Sequence, residues 1–232
     1  MYKNNRIVLL VPAYNEEGKI GNVLKKVPRN IVDEVVVVND GSIDRTKEEI
    51  LANDGTIIDF TINQGLGFAF KALFAYAKAK KYDVAIIVGG DDQDDPSEIP
   101  KFLTAIIDEK YDLVQGSRYL GTTQDMPFIR WLTTKLYSVL FSLVAKQWVT
   151  DASTGYKGFK VSLLDSVDLS ADWLNKKYGI DKTPSLDALV ASGKIIVPIE
   201  DQISSATGGD VEPKLLNILG SFMPCLPRFR KA

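Results

Sequence analysis

The run Ile7-Val8-Leu9-Leu10-Val11, followed by Pro12-Ala13-Tyr14-Asn15-Glu16-Glu17, decides the fold. Five consecutive apolar residues predict a strand covered on both faces, and the turn after it sets an aromatic ring and carboxylates at the strand's C-terminal end. A helix is expected next. Asn15 is placed to cap it, Glu16 and Glu17 suit its positive end, and Ile20, Val23, Leu24 and Val27 fall at i, i+3, i+4 and i+7.

The same rhythm repeats through the first half of the chain. Glu34 to Val38, Thr56 to Ile62, Asp83 to Val88 and Asp112 to Val114 are further strand-like runs, and Phe70, Leu73, Phe74 and Ala77 mark a second amphipathic helix. Alternating strands and helices with near-continuous apolar strands predict an α/β fold with a mostly parallel central sheet and helices on both faces. Ligands of such sheets lie beyond the C-terminal strand ends. After about Gly116 the rhythm changes: Phe128 to Trp148 predicts a strongly apolar helix interrupted by Arg130, Lys135 and Lys146, and Ile195 to Ile199 predicts a late strand before an apolar-basic tail.

Composition removes several classes of function. The 232 residues carry a formal net charge of −2, which offers no broad positive field for nucleic acid. No histidine is present, so imidazole triads and His-bearing zinc sites are excluded and any metal must be a hard ion held by oxygen. Cys225 is the single cysteine and cannot close an internal disulfide. The N-terminus runs straight into strand-like sequence without a signal-type apolar region, and no apolar stretch approaches the roughly 18 to 20 residues of a spanning helix. A cytoplasmic protein that touches a membrane without crossing it is expected.

Four polar loops follow the first four strands. Pro12 to Glu17 offers a platform for a nucleobase. Asn39-Asp40-Gly41-Ser42-Ile43-Asp44-Arg45-Thr46 places Asp40 where it can accept from ribose hydroxyls, with Ser42 or Asp44 as a cap for the next helix. Asn63-Gln64-Gly65-Leu66-Gly67 can bring backbone N–H groups against a phosphate. Gly89-Gly90-Asp91-Asp92-Gln93-Asp94-Asp95 gathers four carboxylates and an amide, a concentration of like charge that a divalent cation would neutralise.

Together with Gly116-Ser117-Arg118-Tyr119 and Asp151-Ala152-Ser153-Thr154-Gly155-Tyr156-Lys157, these loops resemble those of glycosyltransferase family 2, nearest to the dolichyl-phosphate mannose synthases and polyprenyl-phosphate glycosyltransferases, over roughly residues 5 to 160. The resemblance implies a GT-A fold, with Pro12, Tyr14, Glu16 and Asp40 holding the nucleoside and Asp91 and Gln93 ligating Mg2+ or Mn2+ beside the diphosphate. It implies one domain over residues 1–232: a nucleotide-binding half to about 115, an acceptor half over about 116–210 and the tail at 211–232. Arg130, and more weakly Thr134, resemble the acceptor-phosphate residues of a segment that lies at the membrane. Two departures stand out. The first carboxylate of the family's Asp-X-Asp falls on Gly89, leaving Asp92 as the candidate to compensate. The loop from Ser204 to Lys214 lacks the family's arginine, and Lys214 is the nearest stand-in.

The expected reaction is an inverting transfer of mannose or glucose from GDP-mannose or UDP-glucose to dolichyl or another polyprenyl phosphate. A metal and a cation, for which Arg118 is the candidate, would stabilise charge on the departing diphosphate. A phosphate acceptor is already anionic and needs no strong base, whereas a saccharide hydroxyl acceptor would use Asp151. That second acceptor class, and a sugar-nucleotide-binding subunit without turnover, remain as alternatives. A nucleotidyltransferase is disfavoured, because Pro12 to Glu17 occupies the place of its Gly-X-Gly-X-Arg loop.

Overall fold

The computed structural model describes residues 1–117, 119, 128–145, 148–166 and 196–197. Arg118, Lys146, Lys214 and the tail at 211–232 lie outside them, as does the side chain of Arg130.

Strand β1 (Ile7–Ala13) is the centre of the sheet. It pairs in parallel with β2 (Glu34–Asp40) on one side and β4 (Val84–Ile87) on the other, and β2 pairs in parallel with β3 (Thr56–Phe60). Its apolar run is continuous because each face has its own cover. Ile7, Leu9 and Val11 pack with α1 (Ile20–Lys25) and α4 (Ile99–Leu103), while Val8 and Leu10 pack with Phe68, Leu73 and Tyr76 of α3 (Leu66–Ala79). Helix α2 (Thr46–Ala52) buries Ile50 in the first of these layers.

The sheet has the order β5-β6-β4-β1-β2-β3-β7, with β5 (Leu113–Gln115), β6 (Lys157–Lys160) and β7 (Ile196–Val197). Strand β7 pairs in parallel with β3 and falls within the expected late strand. Strand β6 is antiparallel to both β4 and β5, so the sheet is mixed at that edge. Sequence reading missed β6, because Lys157-Gly158-Phe159-Lys160 has neither an apolar run nor a β-branched residue. Gly158 explains the composition. A Cβ there would stand 2.7 Å from Ile86 Cδ1, 2.9 Å from Ile106 Cδ1 and 3.2 Å from Phe102 Cδ1. The strand lacks a side chain where the layer above presses onto it.

One helix differs from expectation. Helix α1 begins at Ile20, not at Asn15, because Asn15 (φ 54°) and Gly18 (φ 79°) are left-handed and break the helical path. The segment after Pro96 is divided into a 3-10 turn (Pro96–Glu98), α4 and a π-type turn (Thr104–Asp108). Helix α5 (Phe128–Ala145) forms as expected.

Gly158→Val should lower stability by about 2 kcal/mol through overpacking of this layer, read as a reduced urea midpoint with unchanged slope.

Candidate active site

The C-terminal ends of β1, β2 and β4 converge. Ala13 is in register with Asn39, and the Gly90 N–H donates to the Pro12 carbonyl at 3.3 Å, so the loops after these three strands share one edge. Glycine at 90 permits the contact, since a Cβ would lie 3.1 Å from that carbonyl oxygen.

The first two loops are joined strand to strand. The N–H groups of Asn15, Glu16, Glu17 and Gly18 donate in turn to Ser42 Oγ (2.9 Å), Thr46 Oγ1 (2.8 Å), Asp44 Oδ2 (3.1 Å) and Glu49 Oε1 (2.8 Å). In return, Asn15 Oδ1 accepts from the Ile43 N–H and Glu17 Oε2 from the Arg45 N–H. A non-helical turn has amides with no intrasegment partner, and here side chains of the neighbouring loop satisfy them. Asn15 is therefore a crosslink and not the cap of α1. Asp44, one of the two expected caps, accepts the Thr46 N–H at 3.0 Å at the start of α2. Burial works against ionisation of Asp44, but hydrogen bonds from the Thr46 hydroxyl and N–H and the Glu17 N–H outweigh it and hold the carboxyl below its ordinary range.

Within this frame Tyr14 is 46 % exposed, with its ring available at the edge, and Pro12 is half-buried. Glu16 pairs with Lys19 at 2.9 Å. The Lys19 ammonium is favoured by its bond to Glu16, and Asp91 adds to the same effect. Lys19 is a cation of the site that sequence reading passed over; its spacing of three from Glu16 was the available signal.

Asp40 is buried and accepts from the Gln64 N–H (2.7 Å) and the Gly65 N–H (2.8 Å). Burial raises its pKa, against those two bonds, which lower it. The Gly65 amide, expected to face a phosphate, thus donates to Asp40 instead. Gly65 has φ 89° and closes the turn into α3. Gly41 has φ 69°, and a Cβ there would lie 2.4 Å from the Asn63 backbone nitrogen, so its close approach is to the β3–α3 loop.

The acidic loop divides by role. Asp92 (φ 59°) turns to α1, where Lys26 Nζ reaches Oδ1 at 2.7 Å and Asn22 Nδ2 reaches Oδ2 at 3.4 Å. Asp95 Oδ1 accepts the Ser97 N–H at 3.0 Å and caps the 3-10 turn. Asp91 Oδ1 accepts the Gln93 N–H at 3.3 Å. Asp92 is therefore directed away from the compensating role expected of it. Among the described residues no three acidic side chains group around one point. Asp91, with Gln93 two residues on, still suits Mg2+ or Mn2+, which commonly take one or two carboxylates and complete their shell with substrate phosphates and water.

The second half reaches this loop through Tyr156. Its hydroxyl donates to the Asp95 carbonyl at 3.1 Å, and its ring stacks on Phe102 with centroids 4.3 Å apart. Burial, together with the carboxylates of Glu98, Asp94 and Asp95, pushes the phenol pKa up, so the group stays a neutral donor. Asp151 is 1 % exposed; its Oδ1 accepts from the Ser153 N–H (3.2 Å) and hydroxyl (2.9 Å), and its carbonyl accepts from Gln115 Nε2 at 2.6 Å.

Helix α5 is amphipathic in an unusual sense. Its docked face is polar: Ser142 Oγ accepts the Val149 N–H, Ser138 Oγ accepts the Ala152 N–H, and the Thr134 hydroxyl shares a hydrogen bond with the Tyr119 hydroxyl. These three residues recur every fourth position. The outward face carries Ile129 (76 % exposed), Leu132, Leu136 (61 %), Val139, Leu140 and Leu143 (69 %). Thr134, expected at an acceptor phosphate, already bonds to Tyr119. No helix among the described residues is long and apolar enough to cross a membrane.

The fold and this edge define a GT-A glycosyltransferase, and comparisons with known proteins agree. The model of glycosyl transferase family 2 matches residues 8–168. A dolichyl-phosphate hexose transferase of Haloferax volcanii is 32% identical over 170 residues, 72% of each chain. An undecaprenyl-phosphate mannosyltransferase of Micrococcus luteus is 28% identical over 228 residues, 92% of each. Glucosyl-3-phosphoglycerate synthase from Mycobacterium tuberculosis, solved with Mn2+, UDP-glucose and phosphoglyceric acid, has TM-score 0.56 and 21% identity over 70% of this chain and 59% of its own, a likeness of fold. The chain belongs to glycosyl transferase family 2.

Asp44→Asn should lower stability at neutral pH. The deficit should shrink as pH falls through the depressed folded-state pKa, where the wild-type carboxyl is also neutral, as urea unfolding across that range would report.

Proposed function

We propose that this chain is an inverting hexosyltransferase that moves mannose or glucose from GDP-mannose or UDP-glucose to dolichyl or another polyprenyl phosphate, working peripherally at the cytoplasmic face of a membrane. The observation that carries the lipid part is α5, which docks through Thr134, Ser138 and Ser142 and turns its leucine stripe outward. Each such side chain moved from water into a bilayer interface gains on the order of 1 kcal/mol, which favours peripheral binding. The Haloferax and Micrococcus relatives, named for transfer to dolichyl and undecaprenyl phosphate, point the same way.

Pro12 and Tyr14 would flank the nucleobase. Asp40, whose two oxygens already accept from the β3–α3 loop, would offer its remaining lone pairs to the ribose while keeping that loop in place. Glu16 holds Lys19 beside the diphosphate position, and Arg118 is a further cation proposed there. Asp91 and Gln93 would hold Mg2+ or Mn2+, and the Mn2+ in the Mycobacterium structure supports this choice. When bound, the ion supplies positive charge to the leaving diphosphate.

In the reaction an acceptor phosphate oxygen forms a bond to the anomeric carbon from the face opposite the diphosphate. The old carbon–oxygen bond breaks with its electron pair leaving on the diphosphate, and no proton need move. Asp151 supports this acceptor over a saccharide hydroxyl, because a buried carboxylate that accepts from Ser153 suits orienting the 151–156 turn better than collecting a proton from a bound alcohol. Arg130 is proposed for the acceptor phosphate. Gly89 favours a second reading, a nucleotide-sugar-binding subunit without turnover.

Purified protein given Mn2+, labelled donors and polyprenyl phosphate should yield an acid-labile lipid-linked sugar. Transfer confined to soluble sugars contradicts the lipid reading, and nucleotide binding without turnover favours the subunit. Leu136→Asp with Leu143→Asp should abolish sedimentation with anionic vesicles while the folded secondary structure is retained.

A further inference from the structure

We propose that Tyr156 is a positioning residue for the transfer: its hydroxyl lets the second half of the chain hold the far end of the acidic loop, and so sets where that loop stands relative to the turn at 151–156. This builds on the donor-site reading above. The loop is tied at both ends. At its start the Gly90 N–H donates to the Pro12 carbonyl at 3.3 Å, which fixes it to β1. At its end the Tyr156 hydroxyl donates to the Asp95 carbonyl at 3.1 Å. Asp91 and Asp94 lie between these two ties.

Tyr156 is itself held from several sides. It is 4 % exposed, and its ring stacks on Phe102 of α4 with centroids 4.3 Å apart. Its N–H donates to Thr154 Oγ1 at 3.2 Å, within the turn that begins at Asp151, and its carbonyl accepts the Gly116 N–H at 2.8 Å. Glycine at 116 permits this approach, since a Cβ there would lie 3.2 Å from Tyr156 Cβ, 3.3 Å from its carbonyl oxygen and 3.4 Å from Phe102 Cζ. The Asp95 carbonyl also accepts the Glu98 N–H at 3.1 Å, so removing the phenol hydroxyl leaves that acceptor paired. What the hydroxyl adds is placement of the loop against the acceptor side. Misplacing reacting groups by about 1 Å can cost about a hundredfold in rate.

Tyr156→Phe removes the hydroxyl and keeps the ring. The full chain is assayed with Mn2+, polyprenyl phosphate and whichever of GDP-mannose or UDP-glucose the wild type uses. The variant should lose about tenfold in kcat while KM for the donor stays within about twofold, because the proposed nucleoside residues Pro12, Tyr14 and Asp40 belong to the ends of β1 and β2. Circular dichroism and the urea midpoint report whether the fold is kept. A folded Tyr156→Phe protein with wild-type kcat overturns the inference even if its urea midpoint falls, as does a loss that lies wholly in the donor KM. Should Tyr156→Phe not fold, Gly116→Ala, which presses on Tyr156 from its other side, is judged by the same two criteria. A wild type that binds GDP or UDP in calorimetry but transfers sugar to no acceptor overturns the functional reading itself, and the inference with it.

Discussion

The two parallel ladders of β1 are the constraint from which the rest follows. With Val8 to Ala13 paired to β2 and Ile7 to Leu10 paired to β4, the strand has a partner on each side and an apolar layer on each face. A strand held in this way has no freedom of register, since a one-residue shift would exchange the side chains of its two covers. The polar residues that follow must therefore emerge at one edge, beside those of β2 and β4. The site is a consequence of this parallel pairing, and its chemistry depends on loops of distant sequence meeting there.

Those loops hold one another. Ser42, Asp44, Thr46 and Glu49 satisfy the amides of residues 15 to 18, and Asp40 satisfies those of Gln64 and Gly65. Polar motifs at a ligand edge invite assignment to the ligand, yet much of their hydrogen bonding is internal. That frame gives Tyr14, Lys19 and Asp91 defined surroundings, the preorganisation that the proposed charge stabilisation would draw on.

The parallel half was legible because its strands are unbroken apolar runs and its helices keep a 3.6-residue period. Strand β6 was not, since Gly158 is chosen for the closeness of Ile86 and Ile106, a tertiary demand that no local pattern carries. The start of α1 was misplaced for a similar reason: Asn15 bonds across to Ile43, a contact 28 residues away in the chain. The acidic loop was legible as a cluster but not in its division of labour, because Lys26 claims Asp92 from another element. Helix α5 was legible as a helix, while the polar character of its docked side became plain only with Ser138 and Ser142 against residues 149 to 152.

A sheet edge that carries Asp91, beside a turn that reaches the acidic loop through Tyr156 and the leucine-striped helix α5 through the Ala152 N–H on Ser138, sets the proposed donor and acceptor sites in one frame. The most direct measurement is a crystal structure of the protein with Mn2+ and a nucleoside diphosphate. The account predicts the base against Pro12 and Tyr14, with the ion bridging Asp91 and the diphosphate. A nucleotide bound away from the ends of β1 and β2, with no ion at Asp91, would contradict it.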